Sequence, residues 1–257
     1  MNAPCAVPRP ARAVLGLVLA AWLGGCALAP VPASAPEAAS GFVDKPGWTA
    51  SRHMVAAAHP LAVQAGLQML REGGSAVDAA IAAQMVLTLV EPQSSGIGGG
   101  LFLVHHVGRR VQAFDGRETA PAAAGPDLFM RGGAPIGFRE ALVGGRSVGT
   151  PGVLRALELA HRQHGRLPWA RLFEPAIDAA ERGVPVGARL ARLLADDGAA
   201  RLREDAEARR IFFDGEARPL REGATLRNPV LADTLRRVAH AGADAFYRGE
   251  IARDIAA

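Results

Sequence analysis

The stretch Glu91–Pro121, EPQSSGIGGGLFLVHHVGRRVQAFDGRETAP, decides the fold of this chain. A long apolar segment with the pattern of a helix leads into it, a glycine run at Gly96–Gly100 turns the chain, and two short strands are predicted to follow. The second strand contains Val111 and Phe114, and Asp115-Gly116 is typical of a turn. The stretch therefore predicts a buried helix that is joined through glycines to two strands.

Arg117 directly follows the predicted end of the second strand, where a rigid support can aim a side chain into a cleft. A guanidinium in such a place suits a carboxylate, because its planar fork donates two parallel charge-assisted hydrogen bonds. The alternative is a surface arginine that pairs with Asp115 or Glu118. Local spacing alone favours this alternative, since short motifs often match by chance.

The glycine run does not have the pattern of a phosphate-binding loop. The third glycine of such a loop would fall at Leu101, and no Gly-Lys-Ser/Thr follows. The order is also helix, glycines, strand, whereas nucleotide loops place the glycines between a strand and a helix N-terminus. His105 and His106 are adjacent on a strand and point to opposite faces, so they predict no metal pair. No cofactor is predicted.

Composition excludes nucleic acid as a partner, although the formal net charge of the 257-residue chain is +4. Lys45 is the single lysine among 29 basic residues, and the arginines are scattered beside acidic residues. Aromatic residues make up only 5%, too few for an obvious base-stacking platform. Removing Arg9 and Arg12 with the leader described next lowers the charge to +2.

The chain opens with a targeting segment over residues 1–25. Arg9 and Arg12 give it a positive start, Ala13–Leu23 is an apolar run too short to span a bilayer, and Leu23-Gly24-Gly25 precedes Cys26. This pattern resembles a bacterial lipobox and predicts cleavage before Cys26 and acylation of its thiol. An ordinary secretory signal is the alternative.

The leader predicts a periplasm-facing protein that is lipid-anchored in the cell envelope. Residues 26–47 are rich in Ala, Pro and Ser and predict a flexible tether, with the folded domain over residues 48–257. Cys5 would be lost with the leader, which leaves no cysteine for a disulfide.

Two helices precede the glycine run. His59-Pro60 opens the first, which runs through Arg71. Ser75 caps the second, and Asp78 completes a capping-box-like pair. From Ala76 to Val90 the second helix is apolar on nearly every face, so it is predicted to be the buried central helix.

Further helices are predicted beyond Pro121. Thr150 is a natural N-cap and Pro151 a natural first-turn residue for a helix that reaches His164. The remaining predicted helices are Pro168–Arg182 with a kink at Pro175, Ala188–Ala195, Ala199–Arg210, Asn228–His240 and Glu250–Ala257. The last of them has no stop signal, which predicts that the sequence is part of a longer protein.

These segments together resemble the γ-glutamyltransferase family over about residues 52–257. They occur in the family's order, and several are highly specific: MVAAAHPLA at Met54–Ala62, GGSAVDAA at Gly73–Ala80, Glu91-Pro92, the glycines Gly96–Gly100, DGRETAP at Asp115–Pro121, GTPG at Gly149–Gly152, HGRLPW at His164–Trp169 and DAFYRGE at Asp244–Glu250. The resemblance narrows the choice of fold and function far more than the periodicity of apolar residues does.

The resemblance implies an α/β (α+β) protein with the αββα sandwich of N-terminal-nucleophile hydrolases. Such proteins are precursors that cleave themselves into a large and a small subunit. A threonine at the new N-terminus attacks the γ-glutamyl amide of compounds such as glutathione, with its own amine as the base. Water or an acceptor amine then resolves the glutamyl-enzyme. Arg117 matches the family arginine that holds the substrate α-carboxylate, so the resemblance favours that role over a surface ion pair.

The chain departs from the family because no threonine lies in the family's cleavage context. Thr119 and Thr150 have structural interpretations, as a strand-end residue and a helix cap. The resemblance therefore implies a truncated large subunit that carries Arg117 and no catalytic residue and is inactive alone, with the small subunit of the same precursor as partner. An acylase of the same family, acting on glutaryl or cephalosporin side chains, and a non-catalytic binding lipoprotein remain alternatives.

Overall fold

The structure, a computed structural model, describes residues 47–257 with the exception of residue 143. All of the elements below lie in one unit, Ala50–Ala257. The predicted signal peptide, the lipidation site Cys26 and the tether as far as residue 46 lie outside the described residues.

Two consecutive helices begin the fold, as the sequence predicts. Helix α1 spans Pro60–Arg71, and the Nδ1 atom of His59 accepts a hydrogen bond from the backbone N–H of Leu61 at 3.2 Å. Helix α2 spans Ala76–Val90. Its capping box is complete, because the Ser75 hydroxyl accepts from the Asp78 N–H at 3.1 Å and the Asp78 carboxylate accepts from the Ser75 N–H at 2.7 Å.

Helix α2 is the centre of the core, which confirms the prediction of a buried helix. Ile81 and Met85 are 0% exposed and Leu89 is 3% exposed, so the three residues form one buried face at four-residue spacing. Most of the other α2 residues are buried as well. Neighbouring helices pack around α2 on several sides, which leaves little of it in contact with solvent.

A β-hairpin follows the glycine run. Strand β1 (Leu101–Val107) pairs antiparallel with β2 (Arg110–Gly116), from Leu101 opposite Gly116 to Val107 opposite Arg110. The prediction of a turn at Asp115-Gly116 is wrong, because both residues pair with β1 and complete the strand. The turn lies instead at Gly108, whose φ of 59° suits a residue without a Cβ.

The remaining elements surround the core and form two more small sheets. The strands are β3 (Met130–Arg131), β4 (Ala134–Pro135), β5 (Val184–Pro185) and β6 (Thr225–Leu226), paired β3 with β4 and β5 with β6. The helices are α3 (Phe138–Leu142), α4 (Val153–His164), α5 (Glu174–Arg182), α6 (Ala188–Ala195), α7 (Ala206–Phe212), α8 (Pro229–Ala241), α9 (Asp244–Tyr247) and α10 (Gly249–Ala256). Within residues 47–257, none of the helices has the length and apolar character needed to cross a membrane.

Three predicted helix boundaries are wrong for local reasons. Thr150 is not the N-cap of α4, because its backbone pairs with Thr119 and stays extended, so the helix begins at Val153. Pro175 does not kink a long helix but lies in the first turn of α5, after a 3₁₀ turn at Trp169–Phe173. The predicted helix over residues 199–210 divides into a 3₁₀ turn, Asp197–Arg203, and α7.

Candidate functional site

Main-chain hydrogen bonds bring three of the family-like segments together. The Gly99 carbonyl accepts from the backbone N–H groups of Gly152 at 2.9 Å and Val153 at 3.2 Å. Thr119 and Thr150 exchange two hydrogen bonds, of 3.3 and 2.7 Å, as an isolated antiparallel bridge. The glycine run, the end of β2 and the start of α4 therefore form one continuous backbone scaffold.

Close backbone approach explains two glycines of this scaffold. A Cβ at Gly152 would collide with the carbonyl group of Gly116, and a Cβ at Gly116 would lie 2.6 Å from the Cβ of Ala156. Neither position has room for a side chain unless the backbone moves. The end of β2 is thus fixed directly against the N-terminus of α4, and Arg117 follows from this fixed point.

Arg117 is an exposed side chain on a rigid base. Its backbone N–H donates to the Asp115 carboxylate at 2.9 Å, and its side chain is 70% exposed. The guanidinium Nη1 lies 3.4 Å from Glu118 Oε2, which is its single ion pair among the described residues. A guanidinium has five N–H donors, so most of its hydrogen-bonding capacity faces solvent.

Glu118 is a further functional candidate, although the sequence alone predicts it only as a possible ion-pair partner of Arg117. Its Oε2 atom is buried and has no hydrogen-bond partner among the described residues. The carboxylate lies against Gly100, where a Cβ would collide with it, and the Glu118 Cβ would lie 2.9 Å from a Cβ on Gly149. The side chain therefore fits between two family-like segments and lies beside the guanidinium of Arg117.

A cleft of about 440 Å³ adjoins this pair. Glu118 and the glycine run form part of its wall, the turn Pro92–Ser95 forms another part, and Gln84 of α2 completes the lining. Glu118 is the only charged residue of the lining. Arg117 is not part of the lining, and its guanidinium is connected to the cleft through the contact with Glu118.

The turn after α2 is held by a buried carboxylate. Glu91 is 4% exposed, and its Oε2 atom accepts from Gln93 Nε2 at 2.6 Å and from the Ser94 hydroxyl at 3.4 Å. Arg189 Nη1 lies 3.4 Å from the same oxygen and links the turn to α6. One step further, Gln84 Nε2 donates to the Ser95 hydroxyl oxygen at 2.8 Å. Polar side chains therefore fix the wall of the cleft before any ligand binds.

The two adjacent histidines of β1 lie on opposite faces, as predicted. His105 stacks on His164 of α4 with ring centroids 4.0 Å apart, whereas His106 is exposed. Burial lowers the pKa of His105 from its ordinary value of 6.5, and the neighbouring His164 and His106 lower this pKa further. No group of three or more His, Cys, Asp or Glu suited to a metal ion occurs in the described part of the chain.

The sequence predicts Arg117 as a site residue but gives little indication of the residues around it. The local sequence contains no signal for Glu118, because its neighbours Gly100 and Gly149 are distant along the chain. Gln84 did carry a signal, as a polar residue in an otherwise apolar helix. Its partner Ser95 could not be assigned from spacing, since the path of the turn between them depends on Glu91.

Comparison with known proteins identifies the family to which this scaffold belongs. The family model described as gamma-glutamyltranspeptidase matches residues 62–257. The glutathione hydrolase proenzyme of Bacillus subtilis (strain 168) is 41% identical over 206 residues, covering 79% of this chain and 34% of the relative. The acylase ACY 1 proenzyme of Pseudomonas sp. (strain V22) is 37% identical over 232 residues, covering 88% of this chain and 41% of the relative.

A solved structure gives the same result. The crystal structure of Helicobacter pylori gamma-glutamyltranspeptidase superimposes with a TM-score of 0.77 at 31% identity, covering 82% of this chain and 60% of that one. The fold is thus that of the N-terminal-nucleophile hydrolases, an αββα sandwich of the α/β class, and the described residues form a helix-rich portion of it. The chain spans 34% of the Bacillus subtilis relative and belongs to the gamma-glutamyltranspeptidase family.

Proposed function

We propose that this chain is the N-terminal, large-subunit portion of an enzyme that cleaves γ-glutamyl amides such as glutathione, by hydrolysis or by transfer to an acceptor amine. The observation that carries the proposal is the position of Arg117, an exposed guanidinium that follows a fixed strand end and contacts Glu118 of the cleft lining. Relatives named glutathione hydrolase support the choice of substrate.

Arg117 binds the α-carboxylate of the glutamyl group in this proposal. Its planar fork offers two parallel hydrogen bonds, which fix direction as well as distance. Glu118 leaves this capacity available, because it contacts one guanidinium nitrogen at 3.4 Å. That contact also restrains the side chain and reduces the entropy that binding would cost. The clamp therefore sets the position of the γ-amide without touching it.

We assign the attacking group to a part of the precursor outside this chain. Thr119 and Thr150 are held in a backbone bridge, and neither has a free α-amine. By resemblance to the family, a threonine at the N-terminus of the small subunit attacks the γ-carbonyl. The amine of the substrate leaves with a proton, and a glutamyl ester forms. Water or an acceptor amine then cleaves that ester and restores the hydroxyl.

The small subunit of the same precursor is the proposed partner, and the outer face of the hairpin is its proposed contact surface. Phe102, Val104 and Val111 on this face are 69%, 70% and 68% exposed. Within the described residues, β1 and β2 form a two-stranded sheet whose two outer edges are unpaired. An apolar sheet face with open edges is typical of a surface that another element covers. The word proenzyme in the names of relatives supports a processed precursor.

The location proposed from the sequence is the periplasmic side of the cell envelope, with a lipid on Cys26. A Cys26→Ser variant should lose the lipid and keep its leader or become soluble. Membrane fractionation and the mass of the mature N-terminus test this directly, and wild-type behaviour in both measurements would contradict the anchor.

A glutaryl or cephalosporin acylase is the second candidate. The Pseudomonas acylase is 37% identical to this chain, and a glutaryl group also carries a terminal carboxylate that Arg117 would bind. The two candidates differ at the α-amino group, which glutaryl lacks. A preference in kcat/KM for a γ-glutamyl anilide over the matched glutaryl anilide supports the first candidate, and the reverse preference supports the second.

The test of the clamp uses a proenzyme in which this chain is joined to the remaining length that its relatives carry. Hydrogen bonds to charged groups contribute roughly 1.5–3 kcal/mol, so Arg117→Ala should lower kcat/KM for a γ-glutamyl anilide at least about tenfold and up to a few hundredfold. Arg117→Lys keeps the charge without the fork and should give an intermediate value.

Arg110→Ala is the matched control, because it removes another exposed arginine from the opposite end of β2. This variant should keep kcat/KM within about twofold of the wild type, as expected of a surface substitution. Wild-type kcat/KM in Arg117→Ala would make Arg117 a surface residue. Loss of activity in both variants would point to general damage to the hairpin.

A further inference from the structure

The Gln84–Ser95 pair lines the same cleft as Glu118 and is preorganised for hydrogen bonding. Gln84 belongs to the central helix and Ser95 to the turn that follows it, and both are half-buried. The Gln84 side-chain nitrogen donates to the Ser95 hydroxyl oxygen at 2.8 Å. Both side chains therefore have a defined position at the wall of a cleft that also contains Glu118, the ion-pair partner of Arg117.

Each member of the pair retains unused hydrogen-bonding capacity. The Ser95 hydroxyl accepts from Gln84 and has no acceptor for its own proton among the described residues. The Gln84 side-chain carbonyl oxygen likewise has no donor in the described part of the chain. The pair thus presents two unused donors, the Ser95 O–H and the second N–H of Gln84, and one acceptor, the Gln84 side-chain carbonyl oxygen. Turning the amide over makes Ser95 the donor within the pair and still leaves two donors, the two N–H groups of Gln84, with the Ser95 oxygen as an acceptor.

A neighbouring hydroxyl differs in this respect. Ser94 donates its proton to the buried Glu91 carboxylate, so its capacity is used to hold the turn. Both serines line the cleft, but only the Ser94 hydroxyl donates its proton to an acceptor among the described residues. This difference provides an internal control.

Two neighbouring donors suit the carbonyl oxygen of a peptide group, which has two lone pairs and accepts hydrogen bonds. The lining contains no cationic residue, and its single carboxylate, Glu118, lies beside Arg117. The pair therefore suits a neutral group of the substrate and not a second carboxylate. When Arg117 holds one end of a γ-glutamyl compound, the rest of the molecule can extend into this cleft.

We infer that Gln84 and Ser95 recognise a peptide group in the part of the substrate that is released, and so favour γ-glutamyl peptides over simple γ-glutamyl amides. The inference rests on the proposed function and adds a specificity determinant to it. Ser95 contacts the peptide group, and Gln84 both contacts it and holds the Ser95 hydroxyl in place.

The test compares two γ-glutamyl donor substrates in the complete proenzyme described above. One is a γ-glutamyl dipeptide such as glutathione, and the other is a γ-glutamyl anilide, whose leaving group has no peptide bond. Ser95→Ala and Gln84→Met each remove hydrogen-bonding atoms with little change of volume. We expect the ratio of kcat/KM for the dipeptide to kcat/KM for the anilide to fall about three- to tenfold in each variant, as for the loss of one neutral hydrogen bond.

Ser94→Ala is the control. The Ser94 hydroxyl donates to Glu91, so its removal should change kcat/KM for both substrates by the same factor. An unchanged donor ratio in Ser95→Ala and Gln84→Met would overturn the inference, even if both rates fall. The proposed function fails in a different way, namely when the wild-type proenzyme turns over neither donor, and the inference falls with it. A lower ratio in Ser95→Ala and Gln84→Met but not in Ser94→Ala is the supporting result.

Discussion

Helix α2 and the β1–β2 hairpin are close in sequence, but they differ in how far they bury their apolar residues. Helix α2 buries Ile81, Met85 and Leu89 entirely within this chain. The hairpin buries Phe114 on its inner face and leaves Val104 exposed on the outer face. The helix therefore completes its core with residues of this chain, whereas the hairpin completes only half of its packing.

The difference separates an element that is fully packed within this chain from one that leaves an apolar face exposed. An exposed apolar face has a free-energy cost in water, of roughly 25 cal/mol per Å² left unburied. The chain nevertheless places such a face on the element that carries Arg117 at its end. A partner that covers the outer face would contact the same hairpin that Arg117 follows, so assembly and substrate binding are expected to be linked.

The largest effect is expected inside the helix. Met85→Asp places a carboxylate in a position that is 0% exposed within the hydrophobic core, so it should lower the free energy of unfolding by at least about 4 kcal/mol. Urea unfolding followed by circular dichroism measures this change. A soluble Met85→Asp variant with a wild-type unfolding midpoint would show that α2 is not the centre of the core.

The second effect concerns Asp78, which connects the start of α2 to a distant loop. Its Oδ2 atom accepts from the backbone N–H groups of Ser75, Arg166 and Leu167, at 2.7, 2.9 and 3.2 Å. Asp78→Ala leaves these donors without a partner, so it should lower the free energy of unfolding by about 2–4 kcal/mol.

Asp205→Ala provides the comparison for Asp78, because Asp205 caps the short helix α7 at an exposed site. The loss of an N-cap costs about 1 kcal/mol. Equal destabilisation of the two variants in urea would mean that the loop contacts of Asp78 contribute little. A clearly larger loss for Asp78→Ala would assign the excess to the contacts with Arg166 and Leu167.

The sequence was sufficient where local chemistry decides the structure. The Ser75–Asp78 box, the apolar periodicity of α2 and Arg117 after a strand end all depend on residues within a few positions of one another. The sequence was insufficient where a segment that is distant along the chain determines the local backbone conformation. Thr150 has the residue type of an N-cap, yet its backbone pairs with that of Thr119, which lies 31 positions earlier in the chain. No local pattern reports such a bridge.

The third effect is a pH dependence of the hairpin. The pKa of His105 is lowered by burial and then by its histidine neighbours, so the folded state disfavours the charged ring. Stability from the neutral stacked ring is fully present above its ordinary pKa of 6.5 and decreases as the pH falls below that value. His105→Phe keeps a stacked ring without a charge, so the stability difference between pH 7.5 and 5.5 should be smaller in this variant.

His53→Phe is the control for the pH dependence, since His53 is an exposed histidine far from the hairpin in sequence. It should keep the wild-type difference between the two pH values in urea unfolding. If His105→Phe also keeps the full difference, the stack with His164 does not set the acid sensitivity, and the inner face of the hairpin is held by its apolar contacts alone.

The smallest effect on stability, and the sharpest test of the comparison, is expected from Val104→Asp. This side chain is 70% exposed on the outer face, so the carboxylate stays hydrated and the free energy of unfolding of this chain should change by less than about 0.5 kcal/mol. An aspartate at Met85 should cost about eight times as much or more, because that position is buried whereas Val104 is exposed. In the complete proenzyme, however, a covered Val104 would bury the new charge, and assembly or processing should then fail. Stable wild-type assembly of a Val104→Asp proenzyme would show that the outer face remains in water, and the apolar hairpin surface would then need another explanation than a subunit contact.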